Sequence, residues 1–332
     1  MINRAYPVTR LATSISLTIE RPIVDCMKTG WLLRSLCVLL VCILVSGCST
    51  TVGKENTLTS GVSRSSDIRV GSWQYTFSDA RGNADRPIMV FTYRPVAWNT
   101  SGPILIVMGG PGELDAWVPY GDRYSALIVA PEFSHQYYPT DNWFQLGNMM
   151  NETGSLNKRS DWTLTAIEHL FDDIRSRTGA KQDTYLLYGF SAGGQFVHRL
   201  VTFLPDARYS RAVAGSPGVY VMPDYTVPFA FGLKGSPLSE ADLKRVFSRK
   251  LIIMSGDKDI NPNDPSLANF PLAEAEGSNR FERAKNYIET ARREADLLHV
   301  PLDWEYHVVP GVGHDDGGII GPSAERLFNG TQ

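Results

Sequence analysis

The chain has 332 residues, of which 43% are hydrophobic and 11% aromatic, and this is the composition of a folded globular protein rather than a disordered one. Its length fits one large α/β domain or two small domains. A formal net charge of −3 gives no reason to predict a nucleic-acid partner. All four cysteines lie at or before Cys48, which excludes a disulfide framework and a cysteine-based metal site from the rest of the chain.

Residues 27–48 have the pattern of a secretory signal peptide. A leading region with one lysine and one arginine precedes an apolar run over 36–45, which is too short to span a bilayer comfortably as a helix. Residues 1–26 fit poorly in front of such a signal. We therefore expect translation to begin at Met27 and the preceding residues to be a mis-annotated extension.

The segment ends in Val-Ser-Gly-Cys, and this motif resembles the lipobox of bacterial lipoproteins. In that family the cysteine thiol is diacylated, the chain is cut before the cysteine, and the new amino group is acylated. The resemblance implies a signal peptide over 27–47 and a lipid anchor on Cys48 that holds the protein to a membrane of the bacterial cell envelope. Because Ser49 and not an aspartate follows, enterobacterial-type sorting would place it in the outer membrane.

Residues 48–69 are rich in Ser, Thr and Gly and are expected to form a flexible tether. After the tether, short apolar runs bounded by turn residues predict strands at 73–77, 88–95, 104–110, 126–133, 184–190, 211–220, 250–259 and 303–311. The first two runs have the pattern of an antiparallel edge. The later ones are continuously apolar, as strands buried on both faces are.

Helical patterns lie between the later strands, at 161–178, 194–204 and 281–298. Strands that alternate with helices predict a mostly parallel sheet covered by helices on both faces. No internal repeat and no change of composition after residue 70 indicates a second domain. The sequence thus predicts a single α/β domain over 70–332.

A serine stands between two glycines where a predicted strand becomes a predicted helix. The motif Gly189-x-Ser191-x-Gly193 in this setting is typical of a nucleophile elbow. The turn is so tight that a Cβ at the flanking positions would clash with a neighbouring strand or helix, and glycine removes it. We expect Ser191 at the carboxyl end of the sheet, with the backbone N–H of Ala192 facing an incoming oxygen.

A serine is a poor nucleophile and needs a base. Of the six histidines, His314 alone lies on a glycine-rich loop after the last predicted strand, from which it can reach the end of the sheet. His307 lies inside that strand. His198 follows the serine by seven residues and is expected to point down its helix, away from the site. We therefore predict that His314 is the base.

A histidine base needs a carboxylate that fixes its tautomer and stabilises the imidazolium. Asp257 and Asp259 both follow a predicted strand. We predict Asp259, at the later position of a Gly-x-x-Asp turn, and keep Asp257 as the alternative. The order Ser191, Asp259, His314 is that of α/β-hydrolases. This mechanism needs no cofactor or metal, and none is predicted.

Two glycines, Gly109 and Gly110, follow an early predicted strand, and their flexible backbone can turn an N–H toward the serine. We predict that the backbone N–H groups of Gly110 and Ala192 form an oxyanion hole. Glycines at the end of a strand are often only turns. Here their coincidence with the serine, the acid and the base supports a role in catalysis.

With these elements the sequence resembles the α/β-hydrolase superfamily over about residues 70–328. It looks closest to bacterial esterases related to polyhydroxyalkanoate depolymerases and feruloyl esterases, which have little or no separate lid. Those relatives usually have a His-Gly pair after the early strand, where this chain has Met108-Gly109. The resemblance implies a Ser-Asp-His triad that cleaves small-molecule or polymeric carboxylic esters through an acyl-enzyme.

Two alternatives stay open. The run Gly-Gly-Pro-Gly over 109–112 resembles the glycine loop of proline iminopeptidases, but those peptidases have a Trp after the nucleophile and a large helical cap, for which residues 221–249 leave too little room. The other alternative is a catalytically silent surface lipoprotein that keeps the fold as a binding scaffold. The presence of all three triad residue types in suitable positions favours an enzyme.

Two groups of residues near the predicted strand ends are candidates for the substrate cleft. Aromatic residues in predicted loops near the strand ends either line an apolar cleft or cover the core, and these are Trp117, Tyr120, Tyr137, Tyr138, Trp143, Tyr220, Tyr225 and Phe229. Glu132, just after a predicted strand, either contacts substrate or, as we favour, caps a neighbouring helix.

Overall fold

A computed structural model describes residues 68–329 of the chain. The predicted signal peptide, Cys48 and almost all of the predicted tether lie outside these residues. Within the described part, no helix is both long and apolar enough to cross a membrane.

One mostly parallel sheet forms the centre of the described domain. Its strands are β1 (Gly71–Phe77), β2 (Ile88–Arg94), β3 (Ile104–Met108), β4 (Leu127–Glu132), β5 (Tyr185–Phe190), β6 (Tyr209–Gly215), β7 (Leu251–Gly256) and β8 (Glu305–Val309). Their order across the sheet is β1-β2-β4-β3-β5-β6-β7-β8. Strand β2 pairs antiparallel with β1 and with β4, and every other neighbouring pair is parallel. The predicted strands and the antiparallel edge are confirmed.

The helices of the described residues are α1 (Pro111–Tyr124), α2 (Thr163–Thr178), α3 (Ala192–Phe203), α4 (Glu240–Phe247), α5 (Pro271–Glu276), α6 (Arg280–Leu297) and α7 (Asp316–Phe328). The three helical patterns of the sequence correspond to α2, α3 and α6. The other four helices were not predicted. Helix α1 begins with Pro111, whose fixed φ suits a first helical turn, but it also contains Pro119, which obscures the helical pattern.

Two apolar layers cover the two faces of the sheet. One lies under α2, α3 and α6 and includes Ile106, Phe171 and Phe196. The other lies under α1 and α7 and includes Leu105 and Trp117. Burial on both faces explains why β3 and β7 are buried at every position, whereas the edge strand β1 alternates between half-buried and exposed residues.

The connection from β6 to α4, residues 216–239, contains no helix. A large helical cap is therefore absent from the place where the sequence left least room for one. The candidate site residues follow β5, β7 and β8, at the carboxyl ends of these strands.

Candidate active site

The link between β5 and α3 is a single residue, Ser191. Its backbone has φ 51° and ψ −111°, a conformation that is uncommon for any residue with a side chain. Its N–H donates to the carbonyl of Gly215 at 2.8 Å, and its own carbonyl accepts from the N–H of Gln195 at 2.9 Å. Strained residues of this kind persist where the surrounding structure holds them, and they cluster at functional sites.

The glycines on either side of the serine are required by the close approach of the backbone. A Cβ on Gly189 would lie 2.3 Å from the carbonyl oxygen of Gly193. A Cβ on Gly193 would lie 2.3 Å from the carbonyl oxygen of Met108, at the end of the adjacent strand β3. Both are clashes with backbone, which cannot move aside as a flexible side chain can. The tight strand–turn–helix connection therefore depends on these two residues.

The structure brings Ser191, His314 and Asp259 together, although they are far apart in sequence. His314 lies on the loop between β8 and α7, with its Nε2 3.0 Å from Ser191 Oγ. Its Nδ1 lies 2.9 Å from Asp259 Oδ2. The imidazole also stacks on Phe190, with ring centroids 4.7 Å apart. Both ring nitrogens are thus engaged, and the ring is held in one orientation.

Asp259 is almost completely buried, with 3% of its surface exposed. Its backbone N–H donates to Gly256 at the end of β7, and its carbonyl accepts from the N–H of Phe281 at the start of α6. Its second carboxylate oxygen lies 3.6 Å from the guanidinium of Arg280, which is itself buried. The carboxylate is therefore fixed from three directions.

Sequence reasoning missed the role of Arg280. Its guanidinium also donates to Asp264 at 2.9 Å and to Ser266 at 2.7 Å. A signal was available, because Arg280 is the first residue of α6, where the helix dipole disfavours a positive side chain. An arginine in that position needs acidic partners elsewhere, and the loop after β7 supplies them.

The alternative acid and the other histidines have different contacts. Asp257 Oδ1 accepts from the N–H of Gly311 at 2.7 Å and so ties β7 to the turn after β8. His307 pairs with Glu305 on its own strand. His198 is buried, donates from Nδ1 to Gly194 and accepts at Nε2 from Val221, and burial lowers its pKa well below the usual value. In the described residues, no group of three or more His, Cys, Asp or Glu could hold a metal ion.

The predicted oxyanion donors precede or begin helices, Gly110 before α1 and Ala192 in α3. Ala192 is the first residue of α3, so its N–H has no partner within the helix. Gly110 precedes α1 with φ 84° and ψ −153°, which only glycine adopts readily. Of the two glycines after β3, it is Gly109 that lines a cleft together with Ala192.

A carboxyl group that the sequence did not single out lies against this turn. A Cβ on Gly109 would be only 2.2 Å from the carboxyl carbon of Glu113, in the first turn of α1. Burial raises the pKa of Glu113, and nearby Asp316 raises it further.

Two clefts meet at the elbow. One, of about 400 Å³, is lined by Ser191 and by polar and apolar side chains from α3, the β6–α4 connection and the loop before α5. The other, of about 460 Å³, is lined by Gly109, Glu132 and the aromatic rings of Phe133, Tyr138 and Phe144. Glu132, for which the sequence favours a capping role, thus borders a cleft.

The eight candidate cleft aromatics have mostly other roles. Among the described residues only Tyr138 of that set lines either cleft. Trp117 is not in a loop but in α1, fully buried, with its ring 4.7 Å from that of Tyr188. Tyr220 is also fully buried. For these two the alternative of a core residue is correct, because their large apolar area contributes more when it is removed from water.

No family model and no curated protein matches the sequence, but solved structures do. Poly(aspartic acid) hydrolase-1 from Sphingomonas sp. KT-1 is 33% identical with a TM-score of 0.76, and the match covers 79% of this chain and 100% of that one. The poly(3-hydroxybutyrate) depolymerase LpqC from Bordetella parapertussis is also 33% identical, with a TM-score of 0.75, over 80% of this chain and 91% of that one. An acetyl xylan esterase from Aspergillus awamori, 16% identical with a TM-score of 0.51 over 78% and 99%, shares the fold alone. The chain is therefore a hydrolytic enzyme of the α/β-hydrolase superfamily and belongs to its group of esterases related to polyhydroxyalkanoate depolymerases.

Proposed function

We propose that this enzyme is a serine hydrolase that cleaves carboxylic esters through an acyl-enzyme on Ser191. The observation that carries the proposal is the unbroken chain of contacts from Ser191 Oγ to His314 Nε2, at 3.0 Å, and from His314 Nδ1 to Asp259, at 2.9 Å. It lies at the strained elbow, beside two clefts that can hold the two halves of an ester. Membership of an esterase group supports the ester as substrate.

In the first half of the reaction, the Ser191 hydroxyl donates to His314 Nε2 and its oxygen attacks the ester carbonyl as the proton moves to the histidine. Asp259 accepts the Nδ1–H, which keeps the ring in the productive tautomer and stabilises the imidazolium. The negative oxygen of the tetrahedral intermediate accepts hydrogen bonds from Ala192 N–H and from an N–H of the 109–110 turn. The carbonyl–oxygen bond then breaks, and His314 protonates the leaving alcohol.

In the second half, His314 takes a proton from water as the water oxygen attacks the acyl group on Ser191. The second tetrahedral intermediate collapses, the proton returns to Ser191 Oγ, and the carboxylic acid leaves. One ester and one water thus give one acid and one alcohol. Every proton in the cycle passes through the one imidazole, so no other titrating group is needed.

Amide hydrolysis is the second candidate, because the chain is as similar to a poly(aspartic acid) hydrolase as to a poly(3-hydroxybutyrate) depolymerase. The same serine chemistry serves both bonds. A peptidase activity of the proline-iminopeptidase type has less support, since the β6–α4 connection contains no helical cap. A silent binding scaffold would have no need of the Ser191 strain or of the buried carboxylate behind His314.

The test is covalent labelling followed by a substrate panel. The purified protein is treated with a fluorophosphonate probe, and the labelled peptide is mapped by mass spectrometry. We expect the label on Ser191 and none on the Ser191→Ala protein. p-Nitrophenyl esters of increasing acyl length, run beside aminoacyl p-nitroanilides, then rank esters against amides. A label elsewhere, or faster cleavage of the amides, would reject the corresponding part of the proposal.

We also propose that Cys48 is lipidated and anchors the enzyme to the bacterial cell envelope, in the outer membrane. The support is the sequence alone, namely the lipobox-like motif behind a hydrophobic run of matching length. A tether over 48–69 would leave the two clefts open to substrates outside the membrane.

A further inference from the structure

Three side chains form a row along α3, starting at the serine. Gln195 and Arg199 are four residues apart in α3, a spacing that puts their side chains on one side of the helix, and Ser191 immediately precedes that helix. All three line the same cleft of about 400 Å³. The row therefore connects the nucleophile with a positive charge deeper in the cleft.

The guanidinium of Arg199 points back toward the serine. Side chains of helical residues lean toward the helix N-terminus, and here Nη1 of Arg199 donates to the carbonyl of Gln195, one turn earlier, at 3.2 Å. The Cα atoms of Ser191 and Arg199 are separated by about 12 Å along the helix axis, from the rise per residue. The contact with Gln195 brings the guanidinium closer to Ser191 than the Arg199 Cα is.

Arg199 is buried, with 1% of its surface exposed, and it is under-satisfied. Its Nε and Nη2 have no hydrogen-bonding partner in the protein. Burial lowers the pKa of Arg199 to about 10, which still leaves it positively charged at neutral pH. A buried cation with two unused donors is costly unless an anion is supplied. Arg199 lines the same cleft as Ser191, although its Nε and Nη2 are themselves covered.

The neighbouring charged groups do not supply that anion. Glu276 is the carboxyl group whose charge acts most strongly on the pKa of Arg199, but the two form no ion pair. Its Oε2 accepts from the N–H of Tyr220. Burial raises the pKa of Glu276 to about 8, against the lowering effect of Arg199 and Arg283. Arg280 is occupied by Asp259 and Asp264.

The remaining charges around the cleft are also engaged. Arg283 donates to the backbone carbonyls of Gly218, Ala268 and Gly277. Asp141, exposed at the rim, accepts from Gln145. The rest of the wall is largely apolar and includes Val219, Phe231, Leu267 and Phe270. Such a wall strengthens an ion pair formed inside it.

We propose that Arg199 binds a carboxylate of the substrate, so that the preferred substrates are esters in which one half carries a free carboxylate a few bonds from the scissile carbonyl. The chain end of a polyester of hydroxy acids has this form. The inference rests on the proposed serine mechanism and adds the substrate class to it. Its geometric basis is a buried guanidinium with two unpaired nitrogens, on a residue that lines the same cleft as Ser191.

The test compares esters that differ only in this charge. One pair is 3-hydroxybutyrate butyrylated on its hydroxyl group and the methyl ester of that compound. The free carboxylate of the first member lies on the alcohol half of the butyryl ester. The other pair is monoethyl and diethyl succinate, in which the free carboxylate of the monoester lies on the acyl half. We expect kcat/KM to favour the anionic member of at least one pair by about 10- to 100-fold, the range of a charge-assisted hydrogen bond. Equal rates within both pairs would overturn the proposal.

Variants assign that preference to the residue. In Arg199→Gln the ratio of kcat/KM between anionic and neutral members should fall to near 1, and Arg199→Lys should keep part of it. Arg292→Gln, an exposed residue of α6 with the same change in net charge, should keep the wild-type ratio. A ratio that falls equally in Arg292→Gln would mean that long-range charge, and not Arg199, sets the preference.

Because Arg199 is buried, a measurement on the wild-type protein accompanies the variants. Free 3-hydroxybutyrate should inhibit hydrolysis of a neutral p-nitrophenyl ester competitively and at least 10-fold more strongly than its methyl ester, as a charge-assisted contact predicts. Fluorophosphonate labelling separates the two proposals. If Ser191 is labelled and neutral esters are cleaved without any anionic preference, the serine mechanism stands and the carboxylate site is rejected. If Ser191 is not labelled and no ester is cleaved, both are rejected.

Discussion

Asp259 and Asp257 are two residues apart on the loop after β7, yet their carboxylates have different partners. Asp259 Oδ2 lies 2.9 Å from His314 Nδ1, whereas Asp257 Oδ1 accepts the backbone N–H of Gly311 at 2.7 Å. In an extended strand two residues at this spacing would point to the same side, but residues 257 and 258 form a turn, which separates the two side chains. The pair therefore offers a matched control for the role of the acid.

Replacing Asp259 with Asn should lower kcat by about 10⁴, the loss known for the same change in a serine protease triad, because Asn holds the histidine in the wrong tautomer. Asp257→Asn keeps an oxygen that can accept from Gly311 and should change kcat by less than about 10-fold. Steady-state kinetics on a p-nitrophenyl ester measures both, with circular dichroism to check the fold. A larger loss in Asp257→Asn would assign the acid to Asp257.

Ser191 and His314 should behave as one unit. In subtilisin, the loss of either residue alone costs about as much as the loss of the whole triad, about 2 × 10⁶ in kcat. We expect Ser191→Ala and His314→Ala each to cost several orders of magnitude, and the double variant little more than either. Costs that multiply in the double variant would show that the 3.0 Å contact between them is not used in the reaction.

The elbow itself can be tested through its glycines. Gly193→Ala places a Cβ 2.3 Å from the Met108 carbonyl oxygen and should destabilise the protein by several kcal/mol or distort the turn. Gly112→Ala, in the first turn of α1, meets no atom within 4 Å and should be neutral or slightly stabilising. Urea denaturation compares the free energies of unfolding. Similar values for the two variants would contradict the steric account of the motif.

Much of this arrangement could be predicted because its signals are local. Buried parallel strands are continuous apolar runs, and the residues after β5, β7 and β8 stand at one edge of the sheet whatever lies between them. Helix α1 could not be predicted in the same way, since its two prolines and two glycines interrupt the helical pattern, although its proline start and buried Trp117 suit it.

The roles of the buried arginines could not be predicted for a different reason. Arg199 follows the helical pattern of α3 and Arg280 opens a charged helix, so in sequence both resemble surface residues. Whether a guanidinium is covered depends on which loops pack over it. Here those loops come from residues 216–239 and 257–270, far from Arg199 in sequence. The place of Arg280 in the first turn of α6 indicates that it needs acidic partners but does not identify them, and Arg199 has no local signal at all.

The proposed lipid anchor predicts the behaviour of the full chain in cells. Cys48→Ser removes the thiol that would be acylated, and the protein should move from the membrane to the soluble fraction, because one or more acyl chains supply about 0.8 kcal/mol per buried CH₂. Ultracentrifugation and immunoblotting measure the distribution, with Cys42→Ser as the control in the same segment. If Cys48→Ser stays with the membrane as wild type does, the lipobox interpretation is wrong.

Glu276 should make the protein less stable as the pH rises. Burial raises its pKa in the folded protein to about 8, from a usual value of 4.5. Between these two pH values the folded state holds a proton that the unfolded state has lost, so the free energy of unfolding falls by up to about 1.4 kcal/mol per pH unit and then levels off above pH 8. Glu276→Gln keeps an oxygen that can accept from Tyr220 N–H but cannot ionise, so it lacks this contribution.

Thermal unfolding of both proteins from pH 4 to 9 should show the Tm of the wild type falling relative to that of the variant between about pH 4.5 and 8. Since every other titrating group is common to the two proteins, a constant difference in Tm over that range would show that the carboxyl group is not protonated in the folded state.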